Sequence, residues 1–419
     1  MTSTPSPAVQ LRAVTTVVEV DGPLLRFADP AHPLAALRRG DGIVGIGEAW
    51  RGEFRGASRF TDAALAWRAI ASAAEVADPV HRAGSGLVAF GSFAFADSSA
   101  SSSVLVVPST IVGRRDGLAW VTQVSVVGGG SPSGSDGVLP HAREIGERPR
   151  ATLAAATLSR DDFVATVGRA VERIRAGDVE KVVIARDATA SIPADADRRA
   201  IVTELAEAYP DTLAFAVDGL IGASPETLVS VHAREASARV LAGSTARGAD
   251  AAEDAAAATR LATSQKDLDE HEFAVQSVLR ALRPHVTAVT ASEAPFTLKL
   301  PNLWHLATDV ELELAEDSSG LDLVAALHPT AAVAGSPTDA ALALIAELEP
   351  FDRGRYAGPV GWIDQDGDGE WVIALRCARI DDDGMLVAHA GAGIVIDSDP
   401  VAELAETRMK FRPIADALR

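Results

Sequence analysis

Cysteine is almost missing from this chain: Cys377 is the single one among 419 residues. That excludes an internal disulfide and a thiolate metal site, which would need neighbouring cysteines. Set in the apolar stretch WVIALRCARI, it reads as a buried structural thiol. Apolar runs of the roughly 20 residues needed to span a bilayer are also absent. The opening MTSTPSPAVQLRAVTTVVEV has no basic segment leading into an apolar one, so no export signal and no membrane contact are expected, and the cytoplasm is the expected compartment. Cations are scarce, 38 Lys and Arg against 58 Asp and Glu, for a formal net charge of -20. Nucleic-acid binding needs clustered cations and is therefore not expected. A small anionic substrate could enter only where a few cations, or a bound divalent metal, reverse the local field.

What is present is an ordinary globular composition, 47% hydrophobic and 23% charged, enough to bury a large core. Residues 1–153 alternate short apolar runs such as LVAFGSFAF and SSVLVVPSTIV with Gly, Pro and Ser clusters, the pattern of strands joined by turns. From Ser159 the period becomes helical, with Phe163, Val167, Val171 and Ile174 on one face and Gly177 placed to end the helix. KVVIAR, TLAFAVDG, TLVSVHA, PVGWID and EWVIALRCARI read as strands. Helices are expected over Ala255 to Leu282, Ser336 to Leu348 and Pro400 to Lys410, the last two opened by Ser336-Pro337 and Asp399-Pro400. The fold class is mixed α/β, large sheets layered with helices, in a single 1–419 domain whose first third is an integral layer. No repeats are visible.

Several residues could carry chemistry. Strand alternation puts Lys181 at the head of an apolar row with Val183 and Ala185. There desolvation would favour the neutral amine and a general base, although a strand-end lysine can equally snorkel to water. Glu226 follows Ser-Pro at a turn entering an apolar strand, either a proton donor at a cavity edge or solvated surface. In TSQKDLDEHEF, Asp267 and Glu270 share a helical face beside His271, and in VAELAETRMK Glu403 and Glu406 do the same. Two such helices could present carboxylates to Mg²⁺ or could simply face water. DQDGDGEWVIAL begins like a calcium loop but has Leu375 where the bidentate glutamate belongs, so a hairpin turn is expected. LAGSTARG matches no phosphate loop.

Taken in order, KVVIAR, GASPE, LAGS, KDLDEHE, NLWHLAT, LHPTAAVAG, ELEPFDRGRYAGPVGW, EWVIALRCARI, HAGAGIV and AELAETRMK resemble the isochorismate synthases among the chorismate-utilising enzymes, of the anthranilate synthase component I type. The resemblance spans residues 159–419, the catalytic region, and is weaker over the first third. It implies Lys181 as the base that activates water, Glu226 as the general acid and His305 as an active-site histidine near the ring. It further implies Glu270 and Glu406 as Mg²⁺ ligands, with Asp267 and Glu403 nearby, and Gly243, Ser244, Ala332, Arg376, Gly391 and Lys410 as substrate contacts.

The implied reaction is the reversible conversion of chorismate to isochorismate, ahead of menaquinone or of catechol or salicylate siderophores. The family members that use ammonia lack a lysine at the position of Lys181 and commonly work with a glutamine amidotransferase, so no such subunit is expected, and a monomer is. Salicylate synthases share the lysine and are the nearest alternative. A non-catalytic chorismate-binding protein is a further one. His389 and Tyr356 depart from the pattern, standing where an aromatic or apolar residue and a phenylalanine are expected.

Overall fold

The computed structural model describes residues 9–128, 138–248, 250–292, 294–299 and 303–419. The side chains of Ser244, Ala246, Lys266, Glu270 and Leu303 also lie outside the described residues. Among the described residues, thirteen strands form one sheet and ten form another. The first third supplies strands to both. Leu34–Arg38 pairs with Leu213–Val217 in the larger sheet, and Val88–Ser92 pairs with Pro359–Asp364 in the smaller. Val88–Ser92 is buried at every position, which is why LVAFGSFAF reads as a continuous apolar run rather than an alternation.

One apolar core joins the two sheets. A second lies on the other face of the larger sheet, where Arg199–Ala208 and Pro400–Ala417 cover it with Ile201, Leu205, Phe411 and Ile414. No helix among the described residues is long and apolar enough to cross a membrane.

The helix Arg160–Arg175 follows the expected pattern. Ser159 caps it by accepting from the Asp162 amide, and Phe163, Val167, Val171 and Ile174 are buried. Gly177 beyond its end takes the left-handed conformation, φ 85°. The acidic run is a hairpin turn, as expected. Pro359–Asp364 and Gly369–Ile373 pair antiparallel, and Asp364 accepts from the amides of Asp366 and Asp368, both at 3.0 Å.

Three helix boundaries differ from expectation. The helix over Ala255 to Leu282 is two, Ala251–Thr263 and Gln265–Leu282, because Ser264 leaves the helical conformation and caps the second by accepting from the Asp267 amide. The helix expected from Ser336 starts at Thr338, since Ser336 is drawn into strand pairing with Lys181 and makes no cap. Asp399 does cap the last helix, but that helix runs past Lys410 to Ala417. Phe411, Pro413, Ile414 and Ala417 are buried there, and burying these side chains outweighs the roughly 3 kcal/mol that an interior proline costs.

Candidate active site

The strand Lys181–Ser191 lies antiparallel to Met385–Ile394, with Val183 opposite Gly393, Ala185 opposite Gly391 and Asp187 opposite His389. Residues opposite one another share a face, so the glycines leave an open floor beside Lys181. A methyl group built at Gly393 would sit 3.1 Å from Lys181 Cε and 3.8 Å from its Nζ, and one at Gly391 would sit 3.3 Å from the Tyr356 hydroxyl. The Lys181 side chain therefore runs across Gly393, along the row that strand alternation requires.

Glu226 enters from the neighbouring turn. Ser224 Oγ donates to the Ile373 carbonyl at 2.5 Å and accepts from the Glu226 amide at 3.2 Å, and Ile373 N donates to the Glu226 carbonyl at 3.0 Å. The backbone is thus pinned and the carboxyl aimed. Glu226 keeps some solvent-accessible surface, yet its carboxyl is enclosed by protein. Desolvation raises its pKa above the ordinary carboxylate value against the pull of Lys181, Arg376 and Lys410. All three cations thus lie close enough to act on the one carboxyl. Lys410 Nζ donates to the Gly391 carbonyl at 2.8 Å.

His305 closes another side. Its Nδ1 lies 3.4 Å from the Gly243 carbonyl. Burial, helped by Lys181 and Lys410, lowers its pKa to about 4, so the imidazole is neutral near pH 7. Gly243 forms a bulge opposite the His305 strand, with φ 74°, a conformation suited to glycine. The Asp267 carbonyl lies 3.3 Å from where a Cβ there would stand, so the helix Gln265–Leu282 packs directly on the bulge. His271 fixes that helix through the Ala242 carbonyl at 2.9 Å and Thr308 Oγ1 at 2.8 Å.

The last helix carries the acids. Glu403 accepts from Ser398 Oγ at 2.7 Å, and Glu406 pairs with Lys410 at 2.6 Å. Burial and then repulsion from Glu406 raise the Glu403 pKa. Two carboxylates that repel each other in a half-buried setting are a suitable oxygen donor set for a hard divalent cation. Among the described residues no group of three or more His, Cys, Asp or Glu forms a metal cluster. The side chain of Glu270, which would join them, lies outside the described residues, as does that of Ser244.

Ala332 sits in the turn whose Ala334 carbonyl accepts from Val183 N at 2.8 Å, next to the Lys181 strand. Sequence reasoning assigned no role to the buried pair behind it. Arg353 donates to both oxygens of Glu349, to the Val333 carbonyl at 2.9 Å and to the Val183 carbonyl at 2.8 Å, while Glu349 accepts from Ala185 N at 2.7 Å. Both residues lie in ELEPFDRGRYAGPVGW, a segment that carries the family resemblance, and an Arg four residues after a Glu was the signal of the pair. Tyr356 and His389 stack with centroids 5.1 Å apart, and burial lowers the His389 pKa to about 4. A neutral imidazole can thus fill the aromatic place expected there.

The glycine floor makes a prediction. Gly393→Ala should displace the Lys181 side chain by a few tenths of an ångström, and a Lys181 that serves as the base would then lose about tenfold in kcat, since small misplacements of a reacting group are costly. Steady-state kinetics beside a melting curve checks this. An unchanged kcat would show that Lys181 does not depend on the floor.

A family model described as chorismate binding enzyme matches residues 35–419. A Mycobacterium tuberculosis protein provisionally named isochorismate synthase MenF is 41% identical over 303 residues, covering 68% of this chain and 81% of the relative. Isochorismate synthase DhbC of Bacillus subtilis is 38% identical over 270 residues, 62% of this chain and 68% of the relative. A crystal structure provisionally identified as the 2,3-dihydroxybenzoate-specific isochorismate synthase DhbC of Bacillus anthracis superposes with a TM-score of 0.70 at 30% identity, covering 94% of this chain and 98% of that one.

Proposed function

Because the chain belongs to the chorismate-binding enzyme family, we propose that it is an isochorismate synthase, an isomerase that interconverts chorismate and isochorismate. The observation that carries the reading is the buried Glu226 carboxyl, held at a turn, on which Lys181 from its strand and Arg376 and Lys410 all act. These cations meet the condition that the acidic composition imposes on an anionic substrate.

Arg376 and Lys410 would hold the two carboxylates of chorismate by charge-assisted hydrogen bonds. Lys181, as the neutral amine, takes a proton from water as its oxygen bonds to C2. The ring double bonds shift, the C4–O bond breaks, and Glu226 delivers its proton to the departing hydroxyl as water. Oxygen enters at C2 and leaves at C4, so the balance is one water in and one water out. The reverse reaction exchanges the acid and base roles. Neutral His305 can hydrogen-bond near the ring without adding a third positive charge. Glu406 with Glu270, and Glu403 beside them, would hold Mg²⁺, which when bound supplies a positive anchor for a substrate carboxylate. The activity needs no glutamine amidotransferase subunit in this reading.

The test is incubation of the purified protein with chorismate, with and without Mg²⁺, and chromatography of the products. Isochorismate that appears with Mg²⁺ and disappears on chelation supports the proposal. Salicylate and pyruvate would make it a salicylate synthase, and absence of turnover in both conditions would leave a binding protein.

The raised pKa of Glu226 has its own consequence. Its acid form persists above the usual carboxylate range, and the forward rate should fall as pH rises through that raised value. Glu226→Gln should lose about 10²-fold or more in kcat and lose that alkaline limb with it. A pH–rate profile of both proteins decides. An alkaline limb that survives in the variant would assign the acid to another group.

A further inference from the structure

Away from the Glu226 carboxyl, the opposite row of the Lys181 strand carries an arginine that the mechanism does not use. Arg186 is only 5% exposed. Its Nε donates to Thr407 Oγ1 at 2.8 Å, and its guanidinium lies 4.8 Å from the centroid of Phe411 and 6.0 Å from that of Phe163. Each ring has an exposed arginine three residues before it on the same helix, Arg408 before Phe411 and Arg160 before Phe163. Residues three apart share a helical face, and side chains lean towards the helix N-terminus. Arg160–Arg175 packs against Pro400–Ala417 and against this strand, while Pro400–Ala417 packs on the neighbouring strand Met385–Ile394 and reaches Arg186 through Thr407. Arg408 and Arg160, one from each helix, both act on the Arg186 charge.

None of the three arginines forms an ion pair among the described residues. The contrast lies on the same helix, where Arg173 pairs with Asp178 and Glu347. Asp187, the nearest acid on the strand, is held by the amides of Thr157 and Leu158 at 3.0 and 3.1 Å. Three guanidiniums without an ion-paired carboxylate, one of them buried and offset only by the pull of Asp187, are costly in a chain with so many acids available.

We propose that the edge between Arg160–Arg175 and Pro400–Ala417 is an anion site at which Arg186, Arg160 and Arg408 take a small phosphate-type oxyanion. Planar guanidiniums from one strand and two helices match the several oxygens of a tetrahedral anion, and the two aromatic faces keep Arg186 fixed for it. Burial, with repulsion from Arg408 and Arg160 outweighing the pull of Asp187, lowers the Arg186 pKa to about 10. It stays charged at neutral pH, and an anion would relieve the strain on it. The site joins the strand headed by Lys181 to the helix that carries Glu406 and Lys410.

The test is titration calorimetry of the metal-free full chain with inorganic phosphate at fixed ionic strength, using malonate and chloride as comparison anions and melting curves alongside. The Arg160→Gln/Arg408→Gln double variant changes only exposed side chains and so spares the core. The expected result is saturable phosphate binding that raises the melting temperature, weakened about tenfold per guanidinium removed. Equal stabilisation of both proteins would be general salt exclusion and would overturn the site. So would the absence of saturable binding, or a preference for malonate over phosphate.

Discussion

Lys181→Gln is expected to lower kcat by about 10²–10⁴-fold, the range in which general acid–base catalysis contributes, with little change in KM and a melting temperature close to that of the parent. The chain has 38 Lys and Arg, of which four are lysine: Lys181, Lys266, Lys299 and Lys410. Arginine remains charged in proteins, whereas an amine can give up its proton. A chain that otherwise uses arginine so consistently places a lysine at the strand head that faces Glu226 and His305. Glutamine keeps most of the length and polarity but cannot accept a proton from water. The loss should therefore fall on the chemical step rather than on binding, which the proposed function assigns to Arg376 and Lys410. Steady-state kinetics with chorismate, circular dichroism and a melting curve together make the measurement. A fall of less than tenfold would remove Lys181 from the role of base.

Much of this site is legible in the sequence because it rests on local rules. KVVIAR fixes by alternation which residues join Lys181, and its pairing with Met385–Ile394 keeps that order. Ser-Pro before Glu226 announces a turn, and Asp399-Pro400 announces a capped helix. The misses have physical causes. Ser264 carries a capping signal towards Asp267, but an unbroken apolar period across it suggests one helix where there are two. Ser336-Pro337 also looks like a cap, yet a strand 155 residues away in the chain claims Ser336. That competition between local capping and distant pairing is decided by tertiary structure. The same holds for Ser224, which sets the Glu226 backbone through Ile373, and for His271, which ties its helix to Ala242 and Thr308. Convergence of Lys181, Glu226, Arg376 and Lys410 is likewise a product of tertiary structure, since a strand, two turns and a helix far apart in sequence supply them.

Arg353→Met should cost about 3–5 kcal/mol of stability, the penalty for leaving one member of a buried ion pair alone. The side chains of Arg353 and Glu349 are 3% and 2% exposed. Burial pushes the Arg353 pKa down, and Glu349 more than offsets it. Methionine has a comparable stem and would still pack near Phe95, over which the guanidinium now lies at 4.5 Å, so the loss isolates the polar contacts rather than a cavity. Removing the guanidinium strands the Glu349 carboxylate with the single amide of Ala185 and takes a donor from the carbonyls of Val333 and Val183. Those carbonyls adjoin Ala332 and the Lys181 strand, so kcat/KM should fall as well. Adding Glu349→Leu removes the orphaned charge and should recover part of the stability, while activity stays low because the two carbonyls remain without their donor. Denaturant midpoints for the two single variants and the double variant yield the coupling energy directly. A single-variant cost below about 1 kcal/mol would mean that water reaches Glu349 and that the pair is not what braces the strand headed by Lys181.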